Sequence, residues 1–206
     1  MAKKLLGLNA DGKLVLKLPS GKTEPVNMPV SARAFLLIDC SSSMASGKIA
    51  QAKEGALAFA EDALKKHYAV GLISFATKSK ALCMPEQNLT ILASTIERLE
   101  ANGTTNMADG IKQASKHLEK CSGIRAIVIV TDGVPDDPNL TLGAARQAKK
   151  AGIDIIAIGT DDADQQFLAQ IASRTDLAFK VSRTELKSGI THAAKMLPSA
   201  TGTKQL

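Results

Sequence analysis

Ala34-Phe35-Leu36-Leu37-Ile38-Asp39-Cys40-Ser41-Ser42-Ser43 decides the fold. The unbroken apolar run reads as a strand buried on both faces, the pattern of a parallel sheet. It stops at one carboxylate followed by a cluster of hydroxyls. Hard oxygen donors packed this closely at a strand end suit a divalent cation that prefers oxygen, such as Mg²⁺. Much further on, Ile127-Val128-Ile129-Val130-Thr131-Asp132-Gly133 repeats the theme, an apolar strand ending in Asp. Between the two, Gly103-Thr104-Thr105-Asn106 opens a helical segment and offers a further hydroxyl, from Thr104 or Thr105.

Outward from these stretches, strands alternate with helices. The apolar patterns predict strands over 34–39, 69–75, 79–84, 124–131, 153–159 and 177–181. They predict helices over 48–66, 89–100, 107–121, 140–151, 163–174 and 184–196. In the first helix Ile49, Ala52, Ala56, Phe59, Ala60 and Ala63 fall on one face. Strands separated by helices of this length imply an α/β layer structure with a mostly parallel sheet. The short link between 69–75 and 79–84 demands an antiparallel pair, because a parallel crossover needs a dozen or more residues. Residues 1–30 read as a separate β-hairpin arm. Asn9-Ala10-Asp11-Gly12 and Ser20-Gly21-Lys22 are turn signals around the strand-like Leu14-Val15-Leu16-Lys17-Leu18. The main domain is expected over 31–198, with a polar tail over 199–206.

At 206 residues, 45% of them hydrophobic, the chain is long enough for a sizeable core. Aromatics make up only 3%, with no Trp and one Tyr, so the core is aliphatic and platforms for base stacking are scarce. The net charge is +6, but residues 1–33 hold six Lys/Arg against two Asp/Glu, and residues 180–206 hold five against one. The middle is therefore slightly acidic, which argues against a nucleic-acid-binding body. Cys40, Cys83 and Cys121 show no C-x-x-C spacing and read as free thiols. Lys3 and Lys4 are followed by no long apolar run, so no signal peptide or membrane span is expected, and a cytoplasmic setting is the default.

Alternate positions along a strand and its exit loop aim the same way, so Asp39, Ser41 and Ser43 can converge while Cys40 and Ser42 point elsewhere. Asp39 and Asp132 both stand at the carboxyl ends of strands, where open α/β sheets bind ligands at the switch point of strand order. They meet only if their strands are neighbours.

Asp-x-Ser-x-Ser at 39–43, Thr after the Gly103 turn, and Thr131-Asp132-Gly133 after a strand resemble the von Willebrand factor A (vWA) family over about residues 32–196. Ser46-Gly47-Lys48-Ile49 and Ala52-Lys53 add to the likeness. The resemblance implies a doubly wound, mostly parallel six-stranded sheet flanked by helices, with the two Asp-bearing strands side by side. It implies a metal-ion-dependent adhesion site (MIDAS). There Ser41, Ser43 and Thr105 would ligate Mg²⁺ directly, with Mn²⁺ or Ca²⁺ as alternatives. Asp39 would act through water, and Asp132 through water or directly. Thr105 is preferred over Thr104 because it stands five residues before Gly110, as the family's threonine does before its helix glycine. The implied function is a protein-interaction module whose protein partner supplies a carboxylate to the metal, with no nucleic acid or membrane involved. The residues leave the oligomeric state open.

Enzyme readings fare worse on the same residues. A phosphate loop G-x-x-x-x-G-K-[ST] is incomplete around Gly47-Lys48, and no G-x-G-x-x-G occurs. A cysteine phosphatase built on Cys40 lacks its arginine, since Ser46 stands there. An aspartate-nucleophile phosphatase lacks its second Asp, since Ser41 stands there. His67, His117 and His192 fall on helices or helix ends, away from strand exits. No catalytic residue is assigned. A metal-dependent hydrolase and a metal-independent scaffold docking through the N-terminal arm are the alternatives. Asp136, Asp137, Asp161, Asp162 and Asp164 follow strands and read first as helix caps and second as an acidic rim.

Overall fold

The computed structural model describes residues 5–8, 14–17, 23–25, 31–160 and 162–199. The chain divides into two compact units, Met1–Val30 and Ser31–Leu206. In the first, β1 (Leu5–Leu8), β2 (Leu14–Lys17) and β3 (Thr23–Pro25) pair antiparallel in the order β1-β2-β3. The expected hairpin arm is thus a three-stranded meander. The turn signals at 9–12 and 20–22 lie outside the described residues, as do Asp161 and the tail from residue 200 onward.

The second unit is built on six strands: β4 (Ala32–Asp39), β5 (Tyr68–Phe75), β6 (Ser79–Glu86), β7 (Ile124–Thr131), β8 (Asp154–Thr160) and β9 (Ala178–Val181). Their order is β6-β5-β4-β7-β8-β9, parallel throughout except for β6, which runs antiparallel to β5. The chain winds outward from β4 in one direction and returns to continue from β7 in the other. The switch point therefore lies between β4 and β7. The expected mostly parallel six-stranded sheet, flanked by helices, is what the chain forms.

The continuous apolar runs take the central places. Ala34–Ile38 and Ala126–Val130 are fully buried, and each such Leu, Ile or Val removed from water is worth about 1.5–3 kcal/mol. Strand β6, with half-exposed side chains, Pro85 and register shifts against β5, sits at an edge, where a missing ladder donor is tolerated.

The helices are α1 (Lys48–Lys65), α2 (Leu89–Ile96), α3 (Met107–Leu118), α4 (Pro138–Lys150), α5 (Gln165–Ile171) and α6 (Leu186–Met196). Helix α1 packs on α6 and α2, while α3, α4 and α5 pack in succession. The ring of Phe35 meets that of His117 on α3 with centroids 5.9 Å apart. The strand pleat then turns Leu36 and Ile38 to the opposite layer. Helix α2 stops earlier than its pattern predicts. After Ile96 the backbone tightens, with Leu99 N–H donating to the Ile96 carbonyl at 3.1 Å, and the turn tucks Leu99 into the core at 2% exposure. Among the described residues no helix is long and apolar enough to cross a membrane.

Candidate metal centre at the switch point

Strands β4 and β7 run side by side, with Ile38 opposite Val130. The next residues, Asp39 and Thr131, then stand at the same level, and Asp132 follows at once. This register brings together two carboxylates that are far apart in the sequence. Asp39 is fully buried and Asp132 is 1% exposed.

Each carboxylate oxygen has a donor. Asp39 Oδ1 accepts from the Ser41 N–H at 2.8 Å, and Oδ2 accepts from Thr131 Oγ1 at 2.7 Å. Asp132 Oδ1 accepts from Ser43 Oγ at 2.7 Å, and Oδ2 accepts from the Lys48 ammonium. Ser41 Oγ and Ser43 Oγ lie 2.9 Å apart, which closes the cluster. Burial pushes Asp39 up from 3.8 to about 6. Hydrogen bonds from Thr131 and Ser41 oppose the rise, and the neighbouring charge of Asp132 adds to it.

The loops that hold these groups interlock. The exit of β4 is tied to the loop before α3: the Asn102 N–H donates to the Cys40 carbonyl at 2.6 Å, and the Ser42 N–H donates to the Gly103 carbonyl at 3.0 Å. Gly103 has φ of 92°, and a Cβ there would stand 2.5 Å from Thr77 Oγ1, so this turn requires glycine. Thr105 is fastened from the other side by Asp136, on the loop leaving β7. Its N–H donates to Asp136 Oδ1 at 3.0 Å, and its carbonyl accepts from the Asp136 N–H at 3.0 Å. Thr104 donates its hydroxyl to Asp136 Oδ2 at 2.6 Å.

The structure thus brings Asp39, Ser41, Ser43 and Asp132 into one hydrogen-bonded group. It places Thr105 by its backbone on the loop laced between the exits of β4 and β7. Ser43 lies at the exposed surface while Ser41 is buried, so the cluster opens outward from a dry base. Among the described residues no three His, Cys, Asp or Glu side chains gather as a cation cage. The group is instead two acids supplemented by hydroxyls. That all-oxygen donor set fits a hard divalent cation, and burial takes from Asp39 the water that would otherwise solvate its charge.

Three contributors escaped the sequence reading. Thr131, in the sequence simply part of Thr-Asp-Gly, holds Asp39. Asp136, which the sequence presents as a cap or rim acid, fixes the Thr105 loop. Lys48, buried at 5% exposure, pairs with Asp132. Lys48 stands in the Ser46-Gly47-Lys48-Ile49 stretch of the family likeness, but the sign of its role is a lysine opening a helix against the positive end of the helix dipole. Asp137 and Asp164 do act as helix caps, accepting from the N–H groups of Leu140 and Gln166.

The model of the von Willebrand factor type A domain matches residues 35–192. No curated protein matches the chain. Among solved structures, the vWF domain of the type V pili tip protein Mfa5 from Porphyromonas gingivalis superposes with a TM-score of 0.77 at 14% identity. That match covers 87% of this chain and 99% of that one. A von Willebrand factor type A protein from Catenulispora acidiphila gives 0.67 at 20% identity, covering 88% of this chain and 44% of that one. Proximal thread matrix protein 1 from the mussel byssus, with its MIDAS motif occupied by zinc, gives 0.65 at 16% identity, covering 82% and 47%. This chain spans less than half the length of the latter two. At these identities the likeness is one of fold.

Proposed function

Because the chain belongs to the von Willebrand factor type A domain family, we propose that it is a non-catalytic protein-interaction module whose binding requires a divalent cation. Asp39, Ser41, Ser43, Thr105 and Asp132 would hold that cation, with Mg²⁺ first and Mn²⁺ or Ca²⁺ as alternatives. When bound, it supplies a Lewis-acidic position for a carboxylate oxygen of a protein partner. The observation that carries this reading is the meeting of Asp39 and Asp132 at adjacent strand ends, linked to Ser41 and Ser43 by hydrogen bonds of 2.7–2.9 Å. Buried Asp39 and Asp132 keep the base of the site dry. Ser43, on the exposed rim, reaches inward with its hydroxyl to Asp132, and Asp136 fixes the loop that carries Thr105. The zinc-occupied MIDAS motif of the mussel protein supports cation binding on this fold. We take residues 31–198 as the module, 1–30 as a separate arm and 199–206 as a tail. The three free thiols support a cytoplasmic setting.

The test is capture of a partner in Mg²⁺ and its release by chelator. Asp39→Ala and Thr105→Ala are expected to keep the native circular dichroism and to lose the chelator-sensitive fraction. Binding that persists unchanged in EDTA, or in both variants, overturns the reading.

A further inference from the structure

Lys48 is the first residue of α1, whose N-cap, Gly47, offers no side-chain cap and whose first turn contains no acid. Helix dipoles disfavour a cation at that end. A lysine ordinarily keeps its ammonium in water, yet here it is buried at 5% exposure against an Asp that is itself at 1%. Local helix energetics and solvation both oppose this placement, so its reason lies in the site. Lys48 Nζ holds Asp132 Oδ2, while Ser43 holds Oδ1. Both oxygens of Asp132 are thus engaged from within the chain, and its charge is matched by a cation of the fold.

We propose, resting on the function assigned above, that Lys48 is a built-in cation of the metal centre, one that weakens divalent-cation binding by the protein alone and biases the loaded site toward an anionic partner. The charge count carries the second half. Among the buried groups of the cluster, two carboxylates, Asp39 and Asp132, and one ammonium, Lys48, leave a single net negative charge, while the exposed Asp136 is screened by water. A divalent cation turns that into a single net positive charge, which one partner carboxylate neutralises. Without the lysine, the two acids alone would neutralise the metal, and an incoming carboxylate would make the site negative. Cation and partner therefore tighten each other through Lys48, and such coupling is reciprocal by linkage.

The experiment titrates Mn²⁺ into the full chain at constant pH and ionic strength, reading free Mn²⁺ by electron paramagnetic resonance, with and without acetate as the carboxylate probe. Lys48→Met is expected to bind Mn²⁺ about tenfold more tightly than wild type, or better. Lys48→Arg, which keeps the charge, stays with wild type. Acetate tightens Mn²⁺ binding in wild type more than in Lys48→Met. Mn²⁺ also raises the melting temperature of Lys48→Met further than that of wild type, because it replaces the missing partner of Asp132. A purely structural lysine would produce no such metal-dependent rescue. If Lys48→Met fails to fold, Lys48→Gln carries the same comparison. Equal Mn²⁺ affinity in wild type and Lys48→Met, with Asp39→Ala abolishing binding in both, overturns the role of Lys48 and leaves the metal centre standing. Equal acetate tightening in both overturns the anion bias. Absence of Mn²⁺ binding in wild type and in every Lys48 variant overturns the metal centre itself.

Discussion

Asp39 illustrates how a single residue can be set against its own fold. Burial disfavours its charge and pushes its carboxyl up from 3.8 to about 6. An acid whose folded pKa lies above its unfolded value binds more protons folded than unfolded. Its contribution is therefore fully present below pH 3.8 and is lost as pH rises through about 6. The rise from 3.8 to about 6 corresponds to roughly 3 kcal/mol. In EDTA, urea unfolding should thus show stability falling by about that amount between pH 4 and 7 on account of this group. Asp39→Asn should flatten that part of the profile, and an unchanged profile in Asp39→Asn would contradict the assignment. At this scale the sequence was readable wherever an apolar run marks a strand end, which is how Asp39 and Asp132 could be chosen. It was not readable where a partner depends on distant chain. Lys48 and Asp132 are 84 residues apart, and only the β4–β7 pairing brings them together.

Elements were legible in type and less so in extent. The spacing of Ala52, Ala56, Phe59, Ala60 and Ala63 announced α1, and all of these residues are buried. Helix α2 is shorter than its pattern because burying Leu99 requires a turn, a tertiary demand that local periodicity does not encode. Helix α5 starts only at Gln165 because Asp164 caps it, one of several acids there that could have done so. A close contact between α1 and α6 was also hidden. A Cβ on Gly55 of α1 would stand 2.9 Å from Ile190 Cβ and 3.1 Å from the Lys187 backbone on α6. Gly55→Ala adds up to about 1 kcal/mol of helix propensity, but the overpacking costs about 1–3 kcal/mol. The expected net is a destabilisation of about 1 kcal/mol by urea unfolding, and an equal or more stable variant would show that α6 can give way. The Lys187–Glu54 ion pair between the same helices, exposed on both sides, adds little.

For the whole molecule, strand order is what converts scattered motifs into a site. Alternating strands and helices implied a parallel sheet, and the short link before β6 implied its antiparallel edge. Nothing local in the chain states that β4 neighbours β7. That adjacency follows from winding the sheet in two directions, which buries both faces of the central strands and brings the loops after β4, before α3 and after β7 together at their carboxyl ends. The motif resemblance supplied the order in advance; the register of Ile38 with Val130 supplies it physically. Crystals of the chain grown in Mn²⁺ offer the most direct check, through the anomalous scattering of the ion. A single peak among the side-chain oxygens of Asp39, Ser41, Ser43, Thr105 and Asp132 is the predicted result. A well-ordered Asp39–Ser43 loop with no peak there, or a peak held by other residues, would contradict the claim that this switch point is a metal centre.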